Sequence, residues 1–164
     1  MKTQNHAGYD AFESLVTAHY DMLLRLALHH TENRAEAEDI VQDVFLALLQ
    51  KPKLFRDEEH AKAFLLRTVI NRCKDYHKSK RHTHSVALSA AEAFPAPVQA
   101  AFTPIVQAME MLRPEYRNVL YLHFYEQYSI REIAQLLGKS PNTVSSWLTR
   151  AKSHLREVMD HDPT

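Results

Sequence analysis

A chain of 164 residues with 45% hydrophobic and 24% charged residues has the composition of a folded protein of one or two domains. Its two glycines lie too far apart to form a phosphate-binding loop, and its single cysteine excludes an internal disulfide or a multi-cysteine zinc site. The first residues lack an apolar signal segment, and no stretch reaches the ~18 apolar residues of a membrane span. We therefore expect a reduced, soluble, cytoplasmic protein with no membrane insertion.

The net charge of zero conceals an acidic block followed by a basic one. Residues 1–60 contain 6 Lys or Arg and 11 Asp or Glu, whereas residues 61–85 contain 7 Lys or Arg and the single acid Asp75. This division suggests two partners for one domain, the second of them polyanionic. Charge alone leaves a merely solvated, dipolar surface equally open.

Three amphipathic helices are predicted in the first half of the chain, and together they can form a small bundle. The first spans Ala11–His30. The second follows Asn33, a suitable N-cap with Glu36 at the reciprocal position, and ends before Pro52. The third runs from about His60 to Lys80. The residues expected to be buried in the second and third helices are Ile40, Val41, Val44, Phe45, Leu48 and Leu49, and Phe64, Leu65, Val69 and Tyr76.

Residues 85–104 are rich in alanine and proline and are predicted to form a semi-extended linker between two domains. Helical order resumes over Ile105–Leu112. It continues in a helix that begins at Pro114 and is expected to bury Val119, Leu120, Leu122 and Phe124.

The stretch SIREIAQLLGKSPNTVSSWLTRAKSHLR is typical of a helix-turn-helix. Ser129 and Glu132 fit a capping box, Gly138 ends the first helix, and Ser140 with Pro141 begins the second. The inner stripes are expected to contain Ile130, Ile133, Ala134 and Leu137, then Val144, Trp147, Leu148, Ala151 and Leu155. The outward residues of the second helix are small or donor-bearing, which favours DNA binding over a purely structural hairpin: Asn142, Ser146, Thr149, Arg150 and Ser153.

Two of these segments, read together, resemble a known family. AEAEDIVQDVFLALL resembles the polymerase-binding helix of bacterial sigma factors. LRPEYRNVLYLHFYEQYSIREIAQLLGKSPNTVSSWLTRAKSHLR is similar to their C-terminal domain, which reads the −35 element. The two-domain length and the order of the motifs, from about Phe12 to Val158, are similar to the extracytoplasmic-function (ECF) group.

The resemblance implies an all-α fold of two small helical domains, residues 9–84 and 105–160, joined by the linker 85–104. It implies a sigma factor that binds core RNA polymerase and directs promoter-specific initiation at −10 and −35 elements. Its partners would be the β′ clamp helices and β flap of the polymerase, and promoter DNA, with an anti-sigma factor as a further candidate. The free chain is expected to be a monomer.

The resemblance also implies roles for individual residues. Asp39, Gln42 and Asp43 would dock on the β′ clamp helices. In the −10 region, Asn71 and Asp75 would face bases, and three cations would contact backbone phosphate: Lys78, Lys80 and Arg81. The loop Lys53–Glu59 occupies the place where the family holds a flipped non-template base.

At the −35 element, the residues implied in the major groove are Pro141, Asn142, Thr143, Ser145, Ser146 and Arg150. Family members usually carry a basic residue at the position of Ser145 and an arginine at that of Trp147. Fewer basic contacts weaken electrostatic binding to DNA and leave the −35 preference open. Trp147 is assigned to core packing at the edge of the buried stripe.

A stand-alone helix-turn-helix regulator with a helical dimerisation or sensing module is the alternative function. Such a regulator has no need for an acidic helix followed by a basic one and a long linker. No nucleophile–base pair supports an enzyme, so we expect no catalytic residue and no cofactor. No metal site is expected either, because no carboxylate or thiol completes a set with His77, His82 and His84. Cys73 is expected to be a packed helix residue.

Overall fold

The computed structural model describes residues 3–31, 33–83, 108–109 and 111–161, and every regular element within them is helical. The chain divides into two units, Met1–His77 and Lys78–Thr164. The elements are α1 (Thr3–Thr31), α2 (Arg34–Gln50), α3 (Glu58–Thr83), α4 (Pro114–Leu120), a π-helical turn (Tyr121–Tyr125), α5 (Ile130–Leu137) and α6 (Pro141–Asp160). The all-α prediction is confirmed. The predicted linker 85–104 lies outside the described residues, as does most of the predicted helix Ile105–Leu112.

An apolar core to which all three helices contribute holds the first unit together. Phe45 of α2 lies between two aromatic rings of α1, 6.3 Å from Phe12 and 6.4 Å from Tyr20 between ring centroids. Cys73 of α3 is buried as predicted, and burial raises the pKa of its thiol to about 12. The largest fully buried side chains of this core are Leu23, Leu26, Val41, Val44, Leu65, Leu66, Val69 and Ile70.

Three residues predicted to be buried in this unit need correction. Leu49 is 50% exposed because it lies about 100° from the centre of the buried stripe of α2. Phe64 and Tyr76 of α3 are only half-buried, whereas Leu66 and Ile70, which the sequence analysis did not select, are fully buried. None of the described helices has the length and apolar character that crossing a membrane requires.

Side-chain caps determine where α2 and α3 begin. Asn33 accepts a hydrogen bond from the backbone N–H of Glu36 (3.3 Å), as predicted for an N-cap. Asp57 accepts one from the backbone N–H of His60 (2.7 Å), and the His60 ring accepts one from the N–H of Arg56 (3.2 Å). α3 therefore begins at Glu58, two residues before the predicted start.

The second unit follows the predicted capping pattern closely. Ser129 and Glu132 form both bonds of a capping box, and Ser140 accepts a hydrogen bond from the N–H of Thr143 (3.2 Å). Gly138 adopts the left-handed conformation (φ 65°, ψ 38°), and Lys139 N–H donates to the Ala134 carbonyl (2.9 Å). The largest fully buried side chains of this unit are Val119, Leu122, Ile133 and Val144. The ends of the predicted stripes are half-buried: Ile130, Leu137, Trp147 and Leu155.

The π-helical turn contradicts the predicted burial of Phe124, whose side chain is 58% exposed. The N–H of Glu126 donates to the Tyr121 carbonyl (3.1 Å), a bond from residue i+5 to residue i that widens the turn. Because a wider turn rotates less per residue, Phe124 does not return to the inner face that Leu120 occupies. The prediction was wrong because it assumed a period of 3.6 residues throughout, which places Phe124 on the buried face.

Two positions with positive φ give opposite expectations for stability. Gly138→Ala should lower the free energy of unfolding of the second unit by about 1 kcal/mol, because an L residue is strained at φ 65° while its Cβ meets no atom within 4 Å. Gln127→Gly should raise it by up to about 1 kcal/mol, because Gln127 already adopts φ 58°. Trp147, the only tryptophan in the sequence, reports this unit by fluorescence in urea. Equal shifts in one direction would contradict this account.

Hydrogen bonds from the backbone and hydroxyl of Ser129 lower the pKa of Glu132 below its ordinary value. Its contribution to stability is therefore complete above the ordinary carboxyl pKa and is lost as the pH falls through the lower, folded-state pKa. Glu132→Gln should therefore lower the stability of the second unit at neutral pH and have a smaller effect in acid, because a neutral amide lacks the charge that both bonds from Ser129 favour. Ser140→Ala is the matched control, since its cap involves no carboxylate, and its cost should not shrink with acid. A pH-independent cost for Glu132→Gln would contradict the linkage.

Candidate protein and nucleic-acid interfaces

The outward face of α2 carries the three residues predicted to bind polymerase. Asp39, Gln42 and Asp43 are all exposed and fall within about 100° of one another on the helix. In the described part of the chain, neither carboxylate is engaged in an ion pair or a hydrogen bond. The core contacts of the opposite face fix the orientation of the helix, so these charges are held toward solvent on a rigid support.

Glu36 does not belong to this exposed acidic face, although it precedes Asp39 by three residues and Asp43 by seven, a spacing that places all three on one side of a helix. It is half-buried, and its carboxylate accepts a hydrogen bond from the Tyr76 hydroxyl of α3. The residue lies at the edge of the outward face, where α2 meets α3. The contact ties the acidic helix to the basic helix, and the exposed acidic surface consists of Asp39 and Asp43 alone.

The predicted −10 residues do not all share one face of α3. At about 100° per residue, Asn71 and Lys78 lie within about 20° of each other, with Asp75 on the flank, and all three are exposed. Lys80 is exposed but lies on the opposite side of the helix. Arg81 is in the last turn, and its side chain lies outside the described residues.

Two exposed cations that the sequence analysis did not assign complete the Asn71 face of α3. Arg67 and Lys74 lie four residues before and three residues after Asn71, so they align with Asn71 and Lys78 in one stripe. Their helical spacing from Asn71 could have identified both cations from the sequence alone. The stripe carries three cations around one amide, an arrangement that suits a phosphate backbone with a base edge beside it.

The loop between α2 and α3 is anchored by aromatic contacts. The Phe55 ring lies 5.4 Å from Phe64 and 5.5 Å from His60, between centroids, and Lys53 Nζ lies 4.2 Å from the centre of the Phe64 ring. Leu54, between these anchors, is 96% exposed. The loop thus holds an apolar side chain in solvent next to cations.

The helix-turn-helix holds α6 with most of the predicted −35 residues outward. Pro141, Asn142, Ser145, Ser146 and Arg150 are exposed. Asn142, Ser146 and Arg150 lie opposite the buried stripe, which consists of Val144, Leu148 and Ala151. The first turn of α6 contains no Asp or Glu, so the positive end of the helix dipole is not neutralised.

Hydroxyl pairing separates the polar residues of α6 into two groups. The Thr143 hydroxyl lies 2.9 Å from that of Ser140, and the residue is half-buried, so it serves the cap. The Thr149 hydroxyl donates to the Ser145 carbonyl (3.0 Å). Asn142, Ser146 and Arg150 remain as exposed donors on consecutive turns. Among the described residues, no three His, Cys, Asp or Glu side chains are placed to hold a metal ion.

Comparisons with known proteins match both units. Residues 15–83 match the family model of Sigma-70 region 2, and residues 102–155 match that of Sigma-70, region 4. The chain is 30% identical over 152 residues to RNA polymerase sigma-E factor of Streptomyces antibioticus, covering 91% of this chain and 84% of that protein. It is 32% identical to the ECF RNA polymerase sigma factor SigL of Mycobacterium tuberculosis, covering 87% and 85%.

A solved structure agrees in fold. The sigma factor RpoE of Bartonella quintana, solved in complex with the anti-sigma factor NepR, superposes with a TM-score of 0.73 and 21% identity, covering 93% of this chain and 99% of that one. Together with the two region matches and the sequence relatives, this places the acidic α2 in region 2 and the helix-turn-helix in region 4. The chain belongs to the ECF group of sigma factors, the initiation factors that direct RNA polymerase to promoters.

Proposed function

We propose that this sigma factor assigns its three partner contacts to three helices: α2 binds core polymerase, α3 binds the −10 element, and α6 binds the −35 element. The observation that carries the proposal is the chemistry of the three exposed faces. The face of α2 is acidic, that of α3 is basic around Asn71, and that of α6 presents neutral donors around Arg150. Each face lies opposite a buried stripe, so each helix has one surface left for a partner.

The complementary partner of α2 is a cationic protein surface. Asp39 and Asp43 are exposed, and neither forms an ion pair with a Lys or Arg among the described residues. Gln42, between them, adds a donor and an acceptor that give direction to the contact. The resemblance assigns this partner as the β′ clamp helices. The β flap is proposed as the contact of the second unit.

For α3, we assign backbone contact to Lys78 and base contacts to Asn71 and Asp75, which share one face. Lys80, on the opposite side of the helix, and Arg81, in the last turn, are proposed to contact backbone phosphate beyond this face. The aligned cations Arg67 and Lys74 join the backbone set. Because each phosphate that a cation neutralises releases counterions, this helix should supply the most salt-sensitive part of promoter binding. The chain supplies binding and strand separation, and the polymerase performs the chemistry.

For α6, the major-groove set is Pro141, Asn142, Thr143, Ser145, Ser146 and Arg150. The structure supports direct base contacts for Asn142 and Ser146, which lie one turn apart in the first half of the helix. Thr143 contributes through the cap. An asparagine side chain can pair bidentately with adenine. We propose that the N-terminal domain spans residues 9–84 and the C-terminal domain residues 105–160, as the resemblance implies.

An anti-sigma factor is proposed as the regulatory partner, acting in the cytoplasm where the polymerase and the DNA are. The support is the Bartonella relative in fold, which was solved with its anti-sigma factor. The stand-alone regulator is not favoured, because a regulator of that kind would not match both sigma regions.

Reversing both carboxylates, Asp39→Lys with Asp43→Lys, should abolish the complex with core polymerase, since the docking face would then repel a cationic partner. Gel filtration of the full chain with core polymerase measures this. The matched control reverses two exposed acids on other elements, Asp21→Lys with Glu59→Lys, and should co-elute with core. Co-elution of the α2 variant would show that the docking face lies elsewhere.

Asn142→Ala should change base preference at one or two −35 positions and cost about 1–3 kcal/mol on the preferred sequence. Arg150→Ala should weaken binding to all sequences and reduce the salt slope by about one if it holds phosphate. Selection of holoenzyme on promoters with a randomised −35 element reads both effects. Arg113→Ala, an exposed cation outside α5 and α6, is the control. An unchanged preference in Asn142→Ala would move the readout to Ser145 and Ser146.

A further inference from the structure

Two histidine rings meet where the last turn of α1 contacts α3. The ring centroids of His30 and His77 lie 5.9 Å apart, and the ring planes are at 67° to each other. His30 is 3% exposed and His77 is half-buried. One nitrogen of each ring, Nδ1 of His30 and Nε2 of His77, is buried from solvent. Neither residue belongs to the partner faces of α2, α3 or α6.

The histidine pair is continuous with the contact between α2 and α3. The Tyr76 ring lies 5.6 Å from that of His77, between centroids, and the Tyr76 hydroxyl donates a hydrogen bond to the Glu36 carboxylate of α2. One cluster of four side chains therefore joins the three helices of the first unit, with His30 supplied by α1. Lys78 of the basic stripe follows His77 directly, so the cluster also holds the carboxyl end of the proposed −10 face.

The ionisable groups around the pair are mainly cations. On α3, Lys74, Lys78 and Lys80 lie within one turn of His77, and Asp75 is the one acid among the described residues of that turn. Glu32 and the side chain of Arg81 lie outside the described residues. The other ionisable groups at this end of the unit are His29 of α1, and Arg34, Glu36 and Glu38 of α2, of which Arg34 and Glu38 form an ion pair at 2.8 Å.

A proton added to either ring creates a charge in surroundings that disfavour it. A neutral imidazole has one donor and one acceptor nitrogen, and protonation turns the acceptor into a second donor with a full charge. Burial deprives that charge of its hydration, and charging both rings places two like charges 5.9 Å apart. The negative end of the α1 dipole favours a charge on His30, but this effect is weaker than the loss of hydration.

We propose that His30 and His77 form a proton-sensitive joint, which keeps the carboxyl end of α3 packed against α1 while both rings are neutral and releases it when they are protonated. Since the open form binds more protons than the packed form, its population rises as the pH falls through the range in which histidine titrates. Release also separates Tyr76 from Glu36, so the basic stripe of α3 loses its fixed position relative to α2. This consequence for the −10 face rests on the proposed function of α3, whereas the joint itself does not.

Cys73 reports the opening of α3. It is the only cysteine in the sequence, is 1% exposed and lies four residues before His77, one turn away on the same side of the helix. A thiol reagent reaches it when this part of α3 leaves the core. The labelling rate of the folded full-length chain, divided by the rate of the chain unfolded in urea at the same pH, gives the open fraction and cancels the pH dependence of thiolate formation.

The pair should make this open fraction depend strongly on pH. Between about pH 7.5 and about pH 5.5, each ring that binds a proton only in the open form raises the open fraction about tenfold, given the ordinary histidine pKa of about 6.5. His30→Gln with His77→Gln, whose amides bind no proton in this range, should therefore reduce the response about a hundredfold, and each single variant about tenfold. His29→Gln, which removes an imidazole from the same turn of α1, is the matched control and should keep the response of the pair.

Three outcomes would overturn the joint. His19 is also buried, and the His60 ring accepts a hydrogen bond from a backbone N–H, so both add pH responses that remain in every variant. A double variant with the full response of the unaltered chain would therefore assign the response to these other histidines. An equal loss of response in His29→Gln would assign it to the general charge at the end of α1. An open fraction that falls in acid would show that the charged rings find a carboxylate.

The single variants and a separate DNA measurement complete the test. A loss of only about tenfold in the double variant would leave one titrating ring and no pair. Circular dichroism checks folding, and His77→Gln alone, which alters the less buried ring, carries the test if the double variant unfolds. Thiol labelling involves neither DNA nor polymerase, so normal promoter binding by Asn71→Ala with Lys78→Ala would overturn the function proposed for α3 and leave the joint intact.

Discussion

A short helix in a small bundle can bury only one side, and this constraint shapes every interface of the chain. In α2, Val41 and Val44 are fully buried, which forces Asp39 and Asp43 to the opposite side. In α6, burial of Val144, Leu148 and Ala151 leaves only the face around Asn142 and Ser146 for a groove. The partner faces are thus fixed by the core. A change that repacks a core stripe would rotate the opposite, functional face with it.

The Glu36–Tyr76 contact applies the same constraint between helices. Glu36 lies at the edge of the acidic face and Tyr76 at the edge of the basic helix, and their hydrogen bond joins the two. The helix proposed to bind polymerase, α2, and the helix proposed to bind DNA, α3, are therefore held in one arrangement before either partner arrives. Since preorganised surfaces lose less conformational entropy on binding, this contact contributes to affinity at both faces without touching either partner.

Much of this architecture could be predicted from the sequence because local rules determine it. The Ser129 capping box, the left-handed Gly138 and the Ser140 cap each depend on side chains within a few residues, and all three are present as predicted. The exposure of Asp39, Asp43 and Asn142 follows from period alone. The roles assigned to these residues in binding remain proposals.

What could not be predicted depends on tertiary contacts or on a break in the period. Glu36 has the spacing of an exposed acid, and only the position of Tyr76, forty residues later, makes it an internal partner. Phe124 has the spacing of a core residue until the π-helical turn displaces it. Leu49 belongs to the apolar pattern of α2 but lies about 100° from the centre of its buried stripe, so half of its side chain stays exposed. In each case the pattern identified the helix correctly and the residue's surroundings determined its role.

The distribution of charge suggests how the promoter contacts share the work. The exposed face of α6 offers Arg150 and neutral donors, whereas the stripe on α3 aligns Arg67, Lys74 and Lys78 beside Asn71. Since phosphate contacts dominate affinity and base contacts dominate selectivity, α3 should supply most of the electrostatic attraction to DNA, and α6 should mainly select sequence. Because Arg150 is the one cation among the proposed −35 residues, α6 is expected to gain little from binding DNA alone, and its selectivity should be expressed chiefly when the polymerase holds the first unit at the promoter. If α2 and α6 have the proposed roles, attachment to core polymerase through α2 is the step on which promoter choice by α6 depends.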